Sequence, residues 1–197
     1  MTTSRRRPAA DTPTRILDAA ERIAQRRGFN GFSYADVAEE LKITTASLHY
    51  HFAGKAELGR ALVARYSDRF SEALDAIATR LSPAPARLQA YVDLYAAVLE
   101  EKRLCLCGML AAEYPTLPKP MRESVLRCFD ANESWLTGVL TEGRDAGELQ
   151  FASLPAEVAR MIVSGLEGAM LVARPYGDVA RFRSAARQIL ASLTPPA

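Results

Sequence analysis

The two histidines of this 197-residue chain lie together in the segment HYHF, residues 49–52. Histidines so placed can bind a metal ion, act in acid–base chemistry or hydrogen-bond a large polar partner. A zinc site is disfavoured because His49 and His51 are two residues apart, so their side chains diverge on a helix. No cysteine is near them, and no paired carboxylates or nucleophile motif occur elsewhere. The sequence therefore predicts neither an enzyme nor a metal or other cofactor.

Three cysteines, Cys105, Cys107 and Cys128, are the other candidates for chemistry. The first two follow Lys102-Arg103, and nearby cations stabilise thiolates. One reactive thiol is enough to sense an electrophile or an oxidant. Free cysteines are also among the most buried residue types, so inert packing is the alternative. Cys128 precedes Phe129 on a predicted helix, and we interpret it as a packed residue.

The composition is that of an ordinary globular protein, with 49% apolar and 24% charged residues. The basic excess is N-terminal: residues 1–60 hold ten Lys/Arg against seven Asp/Glu, and residues 61–197 hold fifteen against sixteen. No run reaches the roughly 18 uncharged apolar residues of a membrane span, and no apolar stretch follows Arg5-Arg6-Arg7 as in a secretory signal. We therefore expect a cytoplasmic protein without membrane contact, whose cysteines are reduced thiols.

The hydrophobic pattern is helical nearly throughout, and no run alternates with the period of two that a strand shows. The segment TPTRILDAAERIAQRRG predicts a first helix, with Thr12 as its cap and Gly28 at its end. A long helix is expected over about 55–81, and SPAPA at 82–86 is the clearest loop. Later helices are expected at 87–103, 120–146, 155–174 and 178–193. The sequence therefore predicts an all-α fold of eight or nine helices.

Two short helices joined by a tight turn are predicted after the first helix. Ser33 and Asp36 have the spacing of a capping box for one of them, and Thr44 can cap the next. Leu48 and Phe52, at i and i+4, would anchor this last helix from its inner side. Such an arrangement matches a three-helix DNA-binding unit whose last helix enters the major groove.

The outer side of this last helix carries side chains suited to DNA. Thr45 can hydrogen-bond a base edge or a phosphate, and its methyl group or that of Ala46 can contact a thymine methyl. For His51, packing on the first helix is the alternative. The side chains that suit phosphate oxygens are His49, Tyr50 and His51, and also Lys55 at the start of the next helix.

Together these features resemble the N-terminal domain of the TetR family of transcriptional regulators. The resemblance covers residues 14 to about 60 and rests on ILDAA, the GF turn, VAEEL, LHYHF and GKAEL in this order. It implies phosphate contacts for Tyr50, His51 and Lys55, base proximity for Thr45, Ala46 and His49, and a nearby phosphate for Ser33 and Tyr34. The cap residue Thr44 completes the predicted DNA-binding set.

The rest of the chain resembles the larger helical domain of that family in architecture alone, which implies ligand binding and dimerisation. The candidate pocket residues, each also a plausible core residue, are Tyr91, Tyr95, Cys107, Met109, Phe129 and Trp135. Their few polar groups favour an apolar or aromatic ligand. The last two helices are the expected dimer face, with burial in their own domain as the alternative. The residues expected there are Met161, Ile162, Gly165, Ala169, Met170, Val179, Phe182, Ala186, Ile189 and Leu193.

We therefore predict a homodimeric, ligand-responsive transcriptional repressor that binds a palindromic, double-stranded DNA operator. Its expected parts are a flexible basic arm over 1–12, a helix-turn-helix DNA-binding domain over 13–56 and a regulatory and dimerisation domain over 57–197. The effector would be a small apolar or aromatic compound that changes the separation of the two recognition helices. One alternative is an electrophile- or redox-responsive repressor that senses through Cys107 or Cys105. Another is an activator or architectural DNA-binding protein without a small ligand.

Overall fold

The computed structural model describes residues 11–193, and the predicted basic arm over 1–12 lies almost wholly outside this range. Within it the chain forms α-helices and two short 3-10 turns but no β-strand, which confirms the all-α prediction. The helices are α1 (Thr12–Arg27), α2 (Tyr34–Leu41), α3 (Thr45–His51), α4 (Lys55–Arg80), α5 (Ala84–Glu100), α6 (Leu106–Ala112), α7 (Lys119–Asp145), α8 (Pro155–Ala173) and α9 (Val179–Ala191). Among these described helices, none is long and apolar enough to cross a membrane.

The ends of α1 show one wrong and one confirmed sequence prediction. The cap is Asp11 and not Thr12, because the Asp11 carboxylate accepts the backbone N–H of Thr14 at 3.2 Å while Thr12 is already helical. Gly28 ends the helix as predicted, with a positive φ of 85° and its N–H bonded to the carbonyl of Ala24. A positive φ favours glycine, so the helix has a defined stop before the next element.

The expected loop at 82–86 is wrong, because α5 begins inside it at Ala84. Proline disrupts a helix interior but is tolerated in the first turn, where its missing N–H has no partner to lose. Pro85 occupies this position in α5, as Pro120 does in α7. The Glu148 carboxylate accepts the N–H of Ala84 at 2.6 Å and so caps the start of α5 from another part of the chain.

Half of the ten residues expected at the dimer face are buried within the chain itself. In the core of the chain itself lie Ile162, Met170, Phe182, Ala186 and Leu193. The interpretation of that stripe as a dimer face is therefore wrong for these residues, since α8 and α9 pack against each other and against α5 and α7. The large apolar residues that α8 exposes are Met161, Leu171 and Val172.

Gly59 lets α4 pack closely on its neighbours. A Cβ added there would lie 2.5 Å from Sδ of Met121 and 2.7 Å from the ring of Phe29. Gly59→Ala should therefore lower the free energy of unfolding by about 1 kcal/mol or more, because the overpacking outweighs the better helix propensity of alanine. Urea denaturation would measure this. The matched control is Gly138→Ala in α7, where a Cβ meets nothing within 4 Å and stability should rise or stay unchanged; equal effects at both sites would contradict the packing argument.

Candidate nucleic-acid interface

The turn between α2 and α3 is short and held by local bonds. Lys42 adopts the left-handed conformation, with φ of 56°, and the N–H of Ile43 donates to the carbonyl of Ala38 at 3.0 Å. Thr44 then caps α3, because its Oγ1 accepts the N–H of Ser47 at 3.2 Å. Both the cap and the helix range agree with the sequence prediction, so α2 and α3 form a helix-turn-helix.

The start of α2 is fixed by the predicted capping box. The N–H of Ser33 donates to Oδ2 of Asp36 at 2.7 Å, and the N–H of Asp36 donates to Oγ of Ser33 at 3.4 Å. The Ser33 hydroxyl also donates to the same carboxylate at 2.5 Å. These bonds lower the pKa of Asp36, so the box is charged at neutral pH. The Ser33 hydroxyl, which was predicted to lie near a phosphate, thus already has a hydrogen-bond partner within α2.

The inner side of α3 anchors the helix as expected. Leu48 is fully buried, and Phe52 lies in the same hydrophobic core as Val37 of α2. Tyr34 supports the end of the helix, since its hydroxyl donates to the carbonyl of Phe52 at 2.9 Å and its ring lies 4.7 Å from that of His49. Tyr34 therefore positions the helix in addition to its predicted place near DNA.

The outer side of α3 is exposed to solvent. Thr45, Ala46, His49 and Tyr50 are all exposed, and Tyr50 is the extreme case at 86%. Nδ1 of His49 lies 3.2 Å from the carbonyl oxygen of Ala53. Because a carbonyl oxygen only accepts, Nδ1 is assigned the proton and Nε2 of the neutral ring is left as an acceptor. A neutral His49 would thus accept from a base amino group, whereas only a charged ring could also donate to a phosphate.

The remaining predicted contacts, His51 and Lys55, are partly engaged inside the domain. The ring of His51 is half-buried and packs edge-on against Tyr50. The Lys55 ammonium donates to the carbonyl of Phe32 and lies 4.7 Å above the ring of Phe29. Burial lowers the pKa of Lys55. An ammonium has three donors, so a phosphate contact by Lys55 would use those that the Phe32 carbonyl leaves free.

An ionic cluster around the buried Glu21 joins the helix-turn-helix unit to the long helix α4. Glu21 of α1 is only 5% exposed, and its carboxylate contacts Arg69 at 2.5 Å and Arg65 at 3.1 Å. Arg65 also pairs with Asp18 at 2.8 Å. Two arginines of α4 therefore hold one face of α1, the helix on which α2 packs.

Residues on both sides of α6 bond to the end of α1 or to the turn that follows it. The N–H of Leu104, just before α6, donates to the carbonyl of Gln25 at 3.2 Å. At the other end the Glu113 carboxylate accepts the N–H groups of Phe29 at 2.6 Å and Asn30 at 3.1 Å. We call the larger helical part of the chain, α4 to α9, the body. The short helix α6 thus connects the body to the turn that precedes the helix-turn-helix.

Glu113→Ala should lower the free energy of unfolding by about 1–3 kcal/mol, because two backbone N–H groups lose an ionised acceptor. Thermal or urea denaturation would measure the loss. The control is Glu123→Ala, whose exposed carboxylate pairs loosely with Lys119 at 3.9 Å and should change stability by less than about 0.5 kcal/mol. A Glu113 variant as stable as the control would show that the turn does not need this carboxylate.

The body contains a cavity of about 260 Å³ between α1, α4, α5 and the residues before α6. Its lining is mixed, with Tyr66, Phe70 and Tyr95 as aromatic walls and Arg69 and Arg103 as charged groups. We call it the first cavity. Its polar residues were missed by the sequence analysis, because they come from separate helices with no common motif.

Two further cavities lie beside α7. The second, of about 230 Å³, lies between α4 and α7 and includes Cys128 and Asn132. The third, of about 220 Å³, lies between α6, α7 and α8 and is mostly apolar. It includes Glu167, and burial raises the pKa of this carboxyl group to about 10, so it is protonated at neutral pH.

The six predicted pocket residues do not share one cavity. Tyr95 lines the first cavity, and Met109 and Phe129 line the third. Tyr91 stacks on Trp135 with 5.7 Å between ring centroids. Like Cys107, these two line none of the three cavities described above. Half of the predicted set therefore packs in or against the core, and the other half is divided between the first and the third cavity.

The cysteines form a cluster that the sequence analysis did not foresee. Cys105 lines the first cavity and accepts a hydrogen bond from the Tyr66 hydroxyl at 3.6 Å. Sγ of Cys107 lies 2.6 Å from Sγ of Cys128 on α7. A hydrogen bond from Cys107, with weaker ones from the Gly108 amide and other neighbours, lowers the pKa of Cys105 to about 6. The stabilising groups are thus nearby hydrogen-bond donors and not the preceding lysine and arginine.

Within residues 11–193 no group of three or more His, Cys, Asp or Glu side chains could hold a metal ion. The helix α3 is capped, exposes its outer side and packs with α1 and α2 in a three-helix unit. This is the architecture of helix-turn-helix DNA-binding proteins. Residues 16–62 match the family model of the bacterial regulatory proteins of the tetR family, and residues 84–189 match the tetracyclin repressor-like C-terminal domain. The chain belongs to the TetR family of transcriptional regulators.

Relatives agree with this assignment over most of the chain. A TetR family transcriptional regulator from Agrobacterium tumefaciens is 31% identical, with a TM-score of 0.90 over 93% of this chain and 97% of that chain. A TetR regulator from Legionella pneumophila is 30% identical, with a TM-score of 0.85 over 95% of this chain and 100% of that chain. The transcriptional regulator AcuR of Cereibacter sphaeroides is 27% identical over 75% of this chain and 69% of its own length. The protein is therefore a DNA-binding transcriptional regulator, and the prediction that it is not an enzyme is confirmed by its family.

Proposed function

We propose that the protein is a homodimeric repressor that releases its operator when a small effector fills the first cavity. The observation that carries this proposal is the position of the cavity. Its wall includes Glu21 and Gln25 of α1, and also Arg69, which holds Glu21 in the ionic cluster. A ligand there would contact the connection between the two parts of the molecule, which we propose to be residues 13–56 and 57–197.

The proposed effector is an apolar or aromatic compound with a hydrogen-bond acceptor. The apolar part of the first cavity is lined by the rings of Tyr66, Phe70 and Tyr95 and by Leu94, Val98 and Met170. Nε of Arg103 is buried and has no hydrogen-bond partner in the described part of the chain. A buried donor without a partner is unfavourable, so a ligand acceptor at this point would gain from it. The ligand can change operator affinity only as far as it prefers the non-binding arrangement.

On the operator, we propose that Thr45, Ala46 and His49 lie nearest the bases. The residues proposed to contact or lie near phosphates are Ser33, Tyr34, Thr44, Tyr50, His51 and Lys55. Members of the family dimerise on operator DNA, and two-fold symmetry favours a palindromic site. The exposed apolar residues of α8, Met161, Leu171 and Val172, are proposed to belong to the dimer interface.

The test of the cavity uses a variant that fills it. Ala73 lines the first cavity from α4, so Ala73→Phe should occupy it, whereas Ala78→Phe on the exposed side of the same helix is the control. A library of small aromatic compounds would be screened by thermal shift, with DNA selected from a random duplex pool as the operator probe. Compounds that stabilise the wild type and the control and release both from the DNA would support the proposal if they neither stabilise Ala73→Phe nor release it. Equal responses of all three proteins would refute it.

A second candidate function is sensing of reactive electrophiles through Cys105. Two observations favour it: Cys105 lines the first cavity, and its pKa is lowered to about 6. Alkylation by iodoacetamide should then reach half its maximal rate near pH 6, because the thiolate is the nucleophile and an ordinary cysteine ionises near pH 8.5. Peptide mapping of the alkylated protein would measure this rate residue by residue. Half-maximal alkylation of Cys105 above about pH 8 would exclude an activated thiol.

A further inference from the structure

Cys107 and Cys128 bring two sulfur atoms together across the contact between α6 and α7. The two Sγ atoms are 2.6 Å apart, and the Cys107 thiol is the donor in their contact. A disulfide needs about 2.05 Å between the sulfurs, so oxidation would require only a small further approach. Both residues are buried, and the close approach therefore belongs to the core rather than to a surface loop.

The second cavity gives a small molecule access to one of these sulfurs. Cys128 lines it together with polar side chains, whereas Cys107 does not. The polar lining residues are Ser67, Asp68, Ser71, Ser124, Arg127 and Asn132. A cavity of about 230 Å³ with hydroxyl groups can hold a small polar oxidant such as a peroxide.

The surroundings assign different roles to the two thiols. The Cys107 thiol has a single proton. Directed to Cys128 it lowers the pKa of Cys128, with a smaller contribution from Ser67, and directed to Cys105 it lowers the pKa of that thiol instead. The contacts of Cys107 with Cys105 and then with Cys128 raise its own pKa. Cys128 is therefore the side chain that ionises more readily, and Cys107 keeps its proton. Reaction with peroxides requires a thiolate, so the accessible residue is also the more nucleophilic one.

We propose that Cys128 and Cys107 form a peroxide-sensitive pair that closes to a disulfide between α7 and α6. The pair opens to the second cavity, so the proposal does not depend on an effector in the first cavity. It is a separate input to the same regulator.

The chemistry needs a peroxide as the only co-reactant. The Cys128 thiolate attacks the terminal oxygen of the peroxide, the O–O bond breaks, and Cys128 becomes a sulfenic acid while the leaving oxygen takes up a proton. The Cys107 sulfur then attacks Sγ of Cys128, an S–S bond forms, and the hydroxyl group leaves with the Cys107 proton as water. Two thiols are oxidised by two electrons, and hydrogen peroxide is reduced to two water molecules.

The disulfide would fix α6 against α7. Because the residues on both sides of α6, Leu104 and Glu113, bond to the end of α1 and the following turn, the link would also restrict the movement of that turn. A disulfide that closes a loop of this length stabilises mainly by constraining the unfolded chain. The oxidised protein should therefore melt about 5 °C or more above the reduced protein.

The direct test maps the bond after oxidation of the whole chain. Protein is treated with a small excess of hydrogen peroxide, remaining thiols are alkylated, and tryptic peptides are analysed without reduction. Cleavage after arginine leaves Cys105 and Cys107 in the peptide 104–122 and Cys128 in the peptide 128–144. The expected product is these two peptides joined by a disulfide, together with loss of two hydrogen atoms from the intact monomer.

Three alanine variants assign the partner. The cross-link should persist in Cys105→Ala and be lost in Cys107→Ala and Cys128→Ala. Hydrogen exchange of the wild type supplies a readout without substitution, since the amides of 106–112 should exchange more slowly after oxidation. A cross-link that needs Cys105, a disulfide between two chains, or oxidation of Cys128 to sulfinic acid without cross-linking would overturn the proposal.

Discussion

Replacement of Glu21 by alanine is expected to lower the free energy of unfolding by about 2 kcal/mol, one of the two largest effects that we expect, because a hydrogen bond to a charged group contributes about 1.5–3 kcal/mol. The Glu21 carboxylate is buried between Arg65 and Arg69. Its removal leaves two guanidinium groups without their shared partner, and Arg65 keeps Asp18 and the carbonyl of Thr14. The loss should also weaken the connection between α1 and α4, so operator affinity should fall together with stability.

Urea denaturation of Glu21→Ala and of a matched exposed variant would measure how much of the stability loss is due to the buried position of the carboxylate. The control is Glu40→Ala, whose carboxylate pairs with Arg22 at 2.6 Å with both side chains well exposed. An exposed pair contributes at most about 1 kcal/mol. Equal stability of the two variants would show that the ionic cluster around Glu21 does not hold α1 on α4. The proposal that a ligand in the first cavity acts on the helix-turn-helix through this cluster would then lose its basis.

Tyr50→Ala is expected to reduce the affinity for all DNA sequences about tenfold while leaving the fold unchanged. The side chain is 86% exposed, so its removal should alter stability by no more than about 0.5 kcal/mol. A hydrogen bond to a charged group such as a phosphate contributes about 1.5–3 kcal/mol, which corresponds to tenfold or more in affinity. Because a phosphate carries no sequence information, specific and random duplexes should be affected alike.

Fluorescence anisotropy with both kinds of duplex would measure this effect, with Tyr176→Ala as the control. Tyr176 is also an exposed tyrosine, at 64%, but it lies in the 3-10 turn between α8 and α9. Tyr50→Phe would show how much of the effect belongs to the hydroxyl group. Undiminished binding by Tyr50→Ala would remove the phosphate contact from the proposed interface.

The helix-turn-helix could be predicted from the sequence because local interactions define it. The capping box of Ser33 and Asp36, the Thr44 cap and the glycine stop at Gly28 all act within four residues of their partners. Such signals fail where two neighbours compete, as when Asp11 caps α1 in place of Thr12. They also fail where proline stands in a first helical turn, as at the start of α5.

The body was harder to predict because its helices are apolar on more than one side. The stripe with Ile162 and Met170 on α8 has the expected spacing, but periodicity does not say whether a stripe meets its own chain or a second copy. The structure shows that it faces inward, whereas Met161 and Leu171 lie on the exposed side of the helix.

Contacts between distant residues had no sequence signal. Cys107 and Cys128 are 21 residues apart, and Glu113 lies 84 residues from Phe29. Neither spacing belongs to a helical repeat or a motif, so both contacts arise only when α6 is placed between α1 and α7. For the same reason the candidate pocket residues were chosen by type, and the structure divides them among cavities and core.

The ratio of affinities for a selected operator and for random duplex tests the role of α3 most directly. In the double variant Thr45→Ala/His49→Ala this ratio should fall at least tenfold, because base contacts carry about 1–3 kcal/mol of discrimination each. The control Thr79→Ala, exposed near the far end of α4, should keep the wild-type ratio. A double variant that binds the operator as selectively as the wild type would show that the outer side of α3 does not read the bases.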